Sequence, residues 1–419
     1  MYIVRAEPIE NKSVMVPGSK SYTHRIFIAA ALADGTSTVL NPLESEDTGL
    51  TLQALVQMGA RAKKTDTVAI TGFGGQPQPC AEPIYLGNSG TSIRLLTGIA
   101  ALGSGCYRLT GTERMGQRPI ADLLEGLSQI GVVTRCDHLN GCPPLEVVGG
   151  TISGRHLKIV CRESSQYMSS LLLLAPCTAR GLEIHVVGEP VSKPYIDMTL
   201  EIMQQFGIAV ARDGYRRFTV AGGQSYQAGT YAVEPDFSQA SYFWGAAAVT
   251  GRTVKVKAIS RESGQGDLRL VAVLAKMGCT VTYEEDGIAV SGGELHGINV
   301  DMGDMPDMVP TLAVVAAFAR GQTVIHNVAH LHGKESDRLQ AVAAELSKMG
   351  IAARCGADDL VITGGRPQGA EIDTYDDHRI AMSFAIAGLK TPGTIIRNPG
   401  CVEKSFPAFW EVLETLYAR

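Results

Sequence analysis

The chain has 419 residues, 45% hydrophobic and 19% charged, with a formal net charge of −5. This supports the buried cores of two or three ordinary domains and excludes a solvated, unfolded chain. It also argues against wholesale nucleic-acid binding, and no apolar run approaches the ~18–20 residues of a membrane span. The start, MYIVRAEPIENKS, has no basic region followed by an apolar one, so no secretory or transit segment is expected. Nine cysteines without a C-x-x-C pair read as reduced thiols of a cytoplasmic protein.

In chain order, one phrase recurs six times: an Ala-rich helix, a closing glycine and a β-branched run. The copies occupy 24–40, 92–109, 166–186, 239–256, 308–328 and 378–398. They close on Gly35, Gly105, Gly181, Gly251, Gly321 and Gly393. A second helix ends in Leu-x-x-(Met/Ile/Phe)-Gly at Gly59, Gly131, Gly207, Gly278 and Gly350, and the sixth copy runs off the C-terminus. A self-similar period of this size is a supersecondary unit used repeatedly.

Hairpin signals follow the second-helix glycines in 208–223, 279–293 and 351–365, where polar turns separate alternating β-formers. Each unit therefore reads βαβαββ, an α/β (α+β) class. One unit alone cannot bury its core, whereas three packed around shared buried helices can. This predicts two lobes of three units: 15–234, and 1–14 with 235–419. The break falls near 228–235, where GTYAVEPDFS opens the fourth unit. MYIVRAEP is expected to pair with the C-terminal lobe, so that the chain crosses twice.

The helix starts carry Lys20, Arg25, Arg94, Arg118, Lys334, Arg338, Arg379 and Lys404. Helix N-termini present unpaired N–H groups and partial positive charge. A cation there costs roughly 0.3–1 kcal/mol when exposed. Repeated at equivalent places, the pattern points to small substrates with several negative charges, held in a cleft between the lobes.

The motifs PGSKSYTHR (17–25), LGNSGTSIRLL (86–96), RMGQRPI (114–120), SSQYMSSLLLLAP (164–176), VSKPYID (191–197), KESDRL (334–339), YDDHRIAM (375–382) and VEKSFPAF (402–409) follow one another nearly end to end. In this ordered set the chain resembles the 5-enolpyruvylshikimate-3-phosphate synthase family. The resemblance implies the two-domain enolpyruvyl-transferase fold of six βαβαββ units. It implies transfer of the enolpyruvyl group of phosphoenolpyruvate (PEP) to the 5-hydroxyl of shikimate 3-phosphate, with release of phosphate, on the route to chorismate and aromatic amino acids. It implies no metal or organic cofactor, small anionic substrates as the only partners, no nucleic acid or membrane, and a monomer.

Carried over by motif, the shikimate-phosphate site falls on Lys20, Ser21, Arg25, Ser164, Ser165, Gln166, Ser192, Asp307 and Lys334. The PEP site falls on Lys20, Gly90, Arg118, Gln166, Arg338, Arg379 and Lys404. The resemblance makes Asp307 the base at the hydroxyl and Glu335 the candidate acid at C3 of PEP, with Lys20 able to assist either transfer. It implies that glyphosate competes with PEP at the Gly90 pocket. Two departures stand out: His330 where the family usually has Asn, and Leu95 where some members have Pro.

Two other readings remain open at this point. A UDP-N-acetylglucosamine enolpyruvyl transferase would use a loop cysteine, but 111–118, GTERMGQR, has none. An RNA-binding repeat fold would need a basic stripe with stacking aromatics, and aromatics are only 6%. His326, His330 and His332 are too loosely spaced to suggest a metal.

Overall fold

The computed structural model describes residues 1–418. Its helices fall into two kinds that alternate along the chain. The inner ones are α1 (Lys20–Leu32), α3 (Gly90–Leu102), α5 (Gln166–Leu174), α7 (Phe237–Thr250), α9 (Val309–Ala317) and α11 (His378–Gly388). They are buried almost all round. Their Ala, Gly, Ser and Thr content allows this, because small side chains let helices approach closely on every face. The outer ones are α2 (Glu46–Gln57), α4 (Ala121–Gln129), α6 (Lys193–Gln205), α8 (Arg269–Lys276), α10 (Arg338–Lys348) and α12 (Phe409–Glu414). These bury one stripe, such as Leu270, Val271, Val273 and Leu274 of α8.

The repeat glycines stop helices by their backbone conformation. Gly251 closes α7 with φ 74°, its N–H donating to the Ala247 carbonyl. Only glycine enters this left-handed region without a Cβ penalty. The other ten repeat glycines also have positive φ.

Five sheets have four strands each. In the second repeat, Ile84–Tyr85 lies parallel to Gly105–Thr110, and the hairpin Val133–Cys136 and Leu145–Gly149 folds back antiparallel onto it. This is the expected βαβαββ unit. Two of the sheets have exchanged their first strands, which corrects the expectation that 228–235 opens the fourth unit. Thr230–Ala232 pairs in parallel with Thr36–Leu40 of the first repeat. Lys12–Val14 pairs in parallel with Thr253–Lys257 of the fourth. Among the described residues the sixth repeat has no hairpin, and Tyr2–Ile3 takes its place against Ile395–Ile396.

The chain forms two compact units. The first is Gly18–Glu234; the second joins Met1–Pro17 to the chain from Pro235 onward. The chain leaves the second unit after Pro17 and returns at Pro235. In the first unit the Ser19 N–H donates to the Glu234 carbonyl at 2.8 Å, and in the second the Asp236 N–H donates to the Pro17 carbonyl at 2.9 Å. Each unit has its own apolar core. At the centre of the second, Ser241, Thr311 and Ser383, one from each of α7, α9 and α11, form a hydroxyl chain at 3.2 and 3.3 Å. Among the described residues no helix is long and apolar enough to cross a membrane.

Candidate active site

In the first unit, α1 opens on Ser19, whose Oγ accepts from the Tyr22 N–H, and Lys20 is the first helical residue. The buried Lys20 ammonium reaches Asp47 Oδ2 of α2 at 3.2 Å. Ser92 Oγ donates to the Asp47 carbonyl at 3.4 Å and shares a 2.6 Å bond with Ser89, the N-cap of α3. Gly90 follows, and the Arg118 Nη1 donates across it to the Asn88 carbonyl at 2.7 Å. A Cβ on Gly90 would overlap the Arg118 guanidinium. Lys20, Asp47, Ser89, Gly90 and Arg118 are therefore linked through one chain of buried polar contacts.

Gln166 begins α5. Its Oε1 accepts from Arg94 Nη1 and its Nε2 donates to Thr91 Oγ1, both at 2.9 Å. Ser165 and Ser192 occupy the N-cap positions of α5 and α6 without a side-chain capping bond. Ser192 holds φ 54°, a left-handed conformation rare for serine and a common mark of a functional turn. Arg25 behaves differently from the other cations. It is 1% exposed and donates to Thr199 Oγ1, Ser169 Oγ and the Ser21 and Tyr195 carbonyls. Burial pulls its proton affinity down to about 10. Its hydrogen bonds tie α1, α5 and α6 together.

In the second unit, Arg338 is the first residue of α10 and is 1% exposed. It donates from Nε to Asp377 at 2.8 Å, from Nη1 to Asp307 at 2.8 Å and from Nη2 to Glu335 at 2.7 Å. Asp307 is shared, since its Oδ2 also accepts from Arg379 Nη2 at 2.7 Å. Asp377, fully buried, caps α11 and accepts from the Arg379 N–H and Ser336 Oγ, both at 3.0 Å. Tyr375 and Asp376, at φ 53° and 55°, make the strained turn that aims it. Burial opposes the charge on Arg338, but Asp377, Glu335 and Asp307 outweigh it and raise its proton affinity. Asp267, at the Gly266–Leu268 turn, is pushed up to about 7 by burial and by Asp307 beside it.

The structure corrects the helix-start argument in part. Lys20, Arg338 and Arg379 do occupy first turns. Arg118, Lys334 and Lys404 instead close 3₁₀ turns, where a cation suits the carbonyl end. Arg25 and Arg94 lie in second turns. Carboxylates of the protein itself also meet several of these charges, as at Lys20–Asp47 and Arg338–Asp377. Sequence reasoning places Asp47 and Asp377 at helix starts but gives neither a role in the site, because each reads as an ordinary first-turn or N-cap acid.

His330 is buried, and its Nε2 has no hydrogen-bond partner among the described residues. Burial, aided by Lys334, pushes it down to about 3, so the ring is neutral. Burial pushes the Cys401 thiol up to about 12, which leaves it a poor nucleophile. Among the described residues no cluster of His, Cys, Asp and Glu could hold a metal ion.

The family model EPSP synthase (3-phosphoshikimate 1-carboxyvinyltransferase) matches residues 7–413. The chain belongs to the EPSP synthase family. A 3-phosphoshikimate 1-carboxyvinyltransferase of Syntrophobacter fumaroxidans is 45% identical, with 98% of each chain covered. The chloroplastic enzyme of Brassica napus is 40% identical over 98% of this chain and 84% of its own. A solved EPSP synthase from Acinetobacter baumannii superposes with a TM-score of 0.81 at 31% identity, covering 99% of this chain and 97% of that one. EPSP synthases therefore share the six-repeat, two-unit architecture seen here, and the resemblance carried by the motifs is confirmed.

One consequence for this chain follows from Gly90. Alanine there is compatible with the first helical position, but it forces the Arg118 guanidinium aside. On the expectation that Arg118 binds PEP, Gly90→Ala should weaken kcat/KM for PEP by about 10–100-fold, as displacing a binding group by about an ångström does. The thermal midpoint should hardly move. Steady-state kinetics beside a melting curve checks this; an unchanged PEP KM with altered glyphosate inhibition would contradict it.

Proposed function

We infer that the chain catalyses transfer of the enolpyruvyl group of phosphoenolpyruvate to the 5-hydroxyl of shikimate 3-phosphate, releasing phosphate. Its family membership supports this reaction, which serves aromatic amino-acid biosynthesis. The observation that carries the chemistry is the Arg338 hub: one buried guanidinium bonds Asp307 and Glu335 together. The reaction needs two proton-handling groups on neighbouring atoms.

In this reading Asp307 takes the proton of the 5-hydroxyl as its oxygen bonds to C2 of PEP. Glu335, or Lys20 in its place, gives a proton to C3. The tetrahedral intermediate then loses a C3 proton as the C2–O bond to phosphate breaks, and phosphate departs with the electron pair. Arg118, Arg338, Arg379 and Lys404 hold the PEP anion and stabilise charge on the leaving phosphate. Lys20, Ser21, Arg25, Ser164, Ser165, Gln166, Ser192 and Lys334 hold shikimate 3-phosphate, with Asp307 at its 5-hydroxyl. The helix starts at Ser165 and Ser192, whose own side chains make no capping bond, support this, since helix-start N–H groups suit a phosphate. Arg25, with four bonds to protein acceptors, orders the Ser21 turn. His330 replaces the family's Asn as an uncharged hydrogen-bonding group, supported by its neutral ring. The nine free cysteines support a reducing, cytosolic setting.

A phosphate-release assay tests the function. PEP with shikimate 3-phosphate should give saturable release, and PEP with UDP-N-acetylglucosamine or with no acceptor should give none. Release with the nucleotide sugar alone would overturn the reading.

A further inference from the structure

Lys404 is a buried cation at the end of the Pro399–Lys404 turn, followed at once by Ser405 and Phe406. The turn's own bonds, from the Ser405 and Phe406 N–H groups to the Val402 carbonyl at 3.0 and 2.7 Å, hold this backbone, and α7 adds a second hold. Gln239 Nε2, in the first turn of α7, donates to the Ser405 carbonyl at 3.0 Å. Phe243, one turn further along the same face, packs edge-on against Phe406 with ring centroids 6.2 Å apart. Residues i and i+4 of one buried helix thus grip the two residues that follow Lys404. Gln239 is itself held, because its backbone N–H donates to Asp236 Oδ1 at 3.0 Å. Gln239 is 1% exposed and Ser405 fully buried. Gln239 Oε1 and Ser405 Oγ have no hydrogen-bond partner among the described residues. The single bond from Nε2 is therefore the side chain's whole polar engagement.

We propose that Gln239 is a positioning residue for Lys404: its bond to the Ser405 carbonyl, with Phe243 on Phe406, adds to the hold on the backbone that carries the PEP cation. This rests on the reading of Lys404 as a PEP-binding group. Gln239 touches neither substrate in this account. It acts only through the Lys404–Ser405 backbone, so its removal should be felt by one ligand and not the other.

The test is a double-mutant cycle in the full-length enzyme. Gln239→Met keeps the side-chain length and removes the donor. It is expected to raise KM for PEP about tenfold while leaving KM for shikimate 3-phosphate within about twofold. Lys404→Met should raise the PEP KM at least as much. In the Lys404→Met background, Gln239→Met should add less than about twofold, because the group it positions is gone. If Gln239→Met does not fold, Gln239→Asn, whose amide falls one methylene short, is measured in the same cycle with the same expectation. A full tenfold effect persisting in the Lys404→Met background would overturn the inference, as would equal losses for both substrates. A Lys404→Met enzyme with an unchanged PEP KM would sink the reading of Lys404 itself, a separate and distinguishable failure.

Discussion

Asp307→Ala is expected to lower kcat by about 10²–10⁴, the range for loss of a general base, with both ligands still bound. Asp307→Asn should lose nearly as much, although it can still accept a hydrogen bond from Arg338 or Arg379. The physical reason lies in how Asp307 is placed. Its two oxygens are taken by different guanidinium groups at 2.8 and 2.7 Å, which fixes the carboxylate plane. Its side chain is nevertheless 21% exposed, unlike the fully buried Asp377 on the same arginine. It is the carboxylate of this hub that a ligand can reach. Single-turnover kinetics separates binding from chemistry. Near-full turnover by either variant with tight ligand binding would remove Asp307 from the role of base.

Asp377 should dominate stability. It accepts from Arg338 Nε and Nη2, Ser336 Oγ and the Arg379 N–H, with no solvent exposure. Asp377→Leu leaves Arg338 buried with less compensating charge, which costs about 3–5 kcal/mol for an ion pair broken on one side. The double variant Asp377→Leu with Arg338→Met should recover part of that loss, since it buries no lone charge. Denaturant midpoints for the three proteins at one pH check this. A single Asp377→Leu variant as stable as the parent would show that the hub is not a buried, mutually dependent cluster.

The repeat was legible because its signals are local. Helix, glycine and β-branched run sit within about twenty residues, and each glycine must adopt a conformation that other residues resist. The motif residues Lys20, Gly90, Gln166, Asp307 and Arg338 were legible for the same reason. The strand exchange was legible only as lobe boundaries and a double crossing, not as strand pairings. Thr230–Ala232 and Lys12–Val14 contribute three residues each, too few for alternation to declare a partner. Their pairing is set by where the chain passes between units, and no local pattern records that.

The site was legible as a list of cations but not as a network. Asp377 satisfies the expectation for an N-cap, so nothing in the sequence asks for a second duty. Arg25 was legible as a cation by its place in PGSKSYTHR, but its setting was not. Its four protein acceptors come from residues as distant as Ser169 and Thr199. The 3₁₀ turns before Arg118, Lys334 and Lys404 were hidden by their shortness, and with them the favourable position of those charges. Gln239 reads as one polar residue in an Ala-rich helix until Ser405, 166 positions away, is placed beside it.

All of these assignments assume that the cations of each unit are receptors for two small acids. A crystal structure with shikimate 3-phosphate and glyphosate bound tests that most directly. The account predicts the acceptor's phosphate on Ser164, Ser165 and Gln166, its 5-hydroxyl within hydrogen-bond reach of Asp307, and glyphosate contacted by Arg118, Arg338, Arg379 and Lys404. Either ligand seated away from these groups, with Asp307 facing neither, would contradict it.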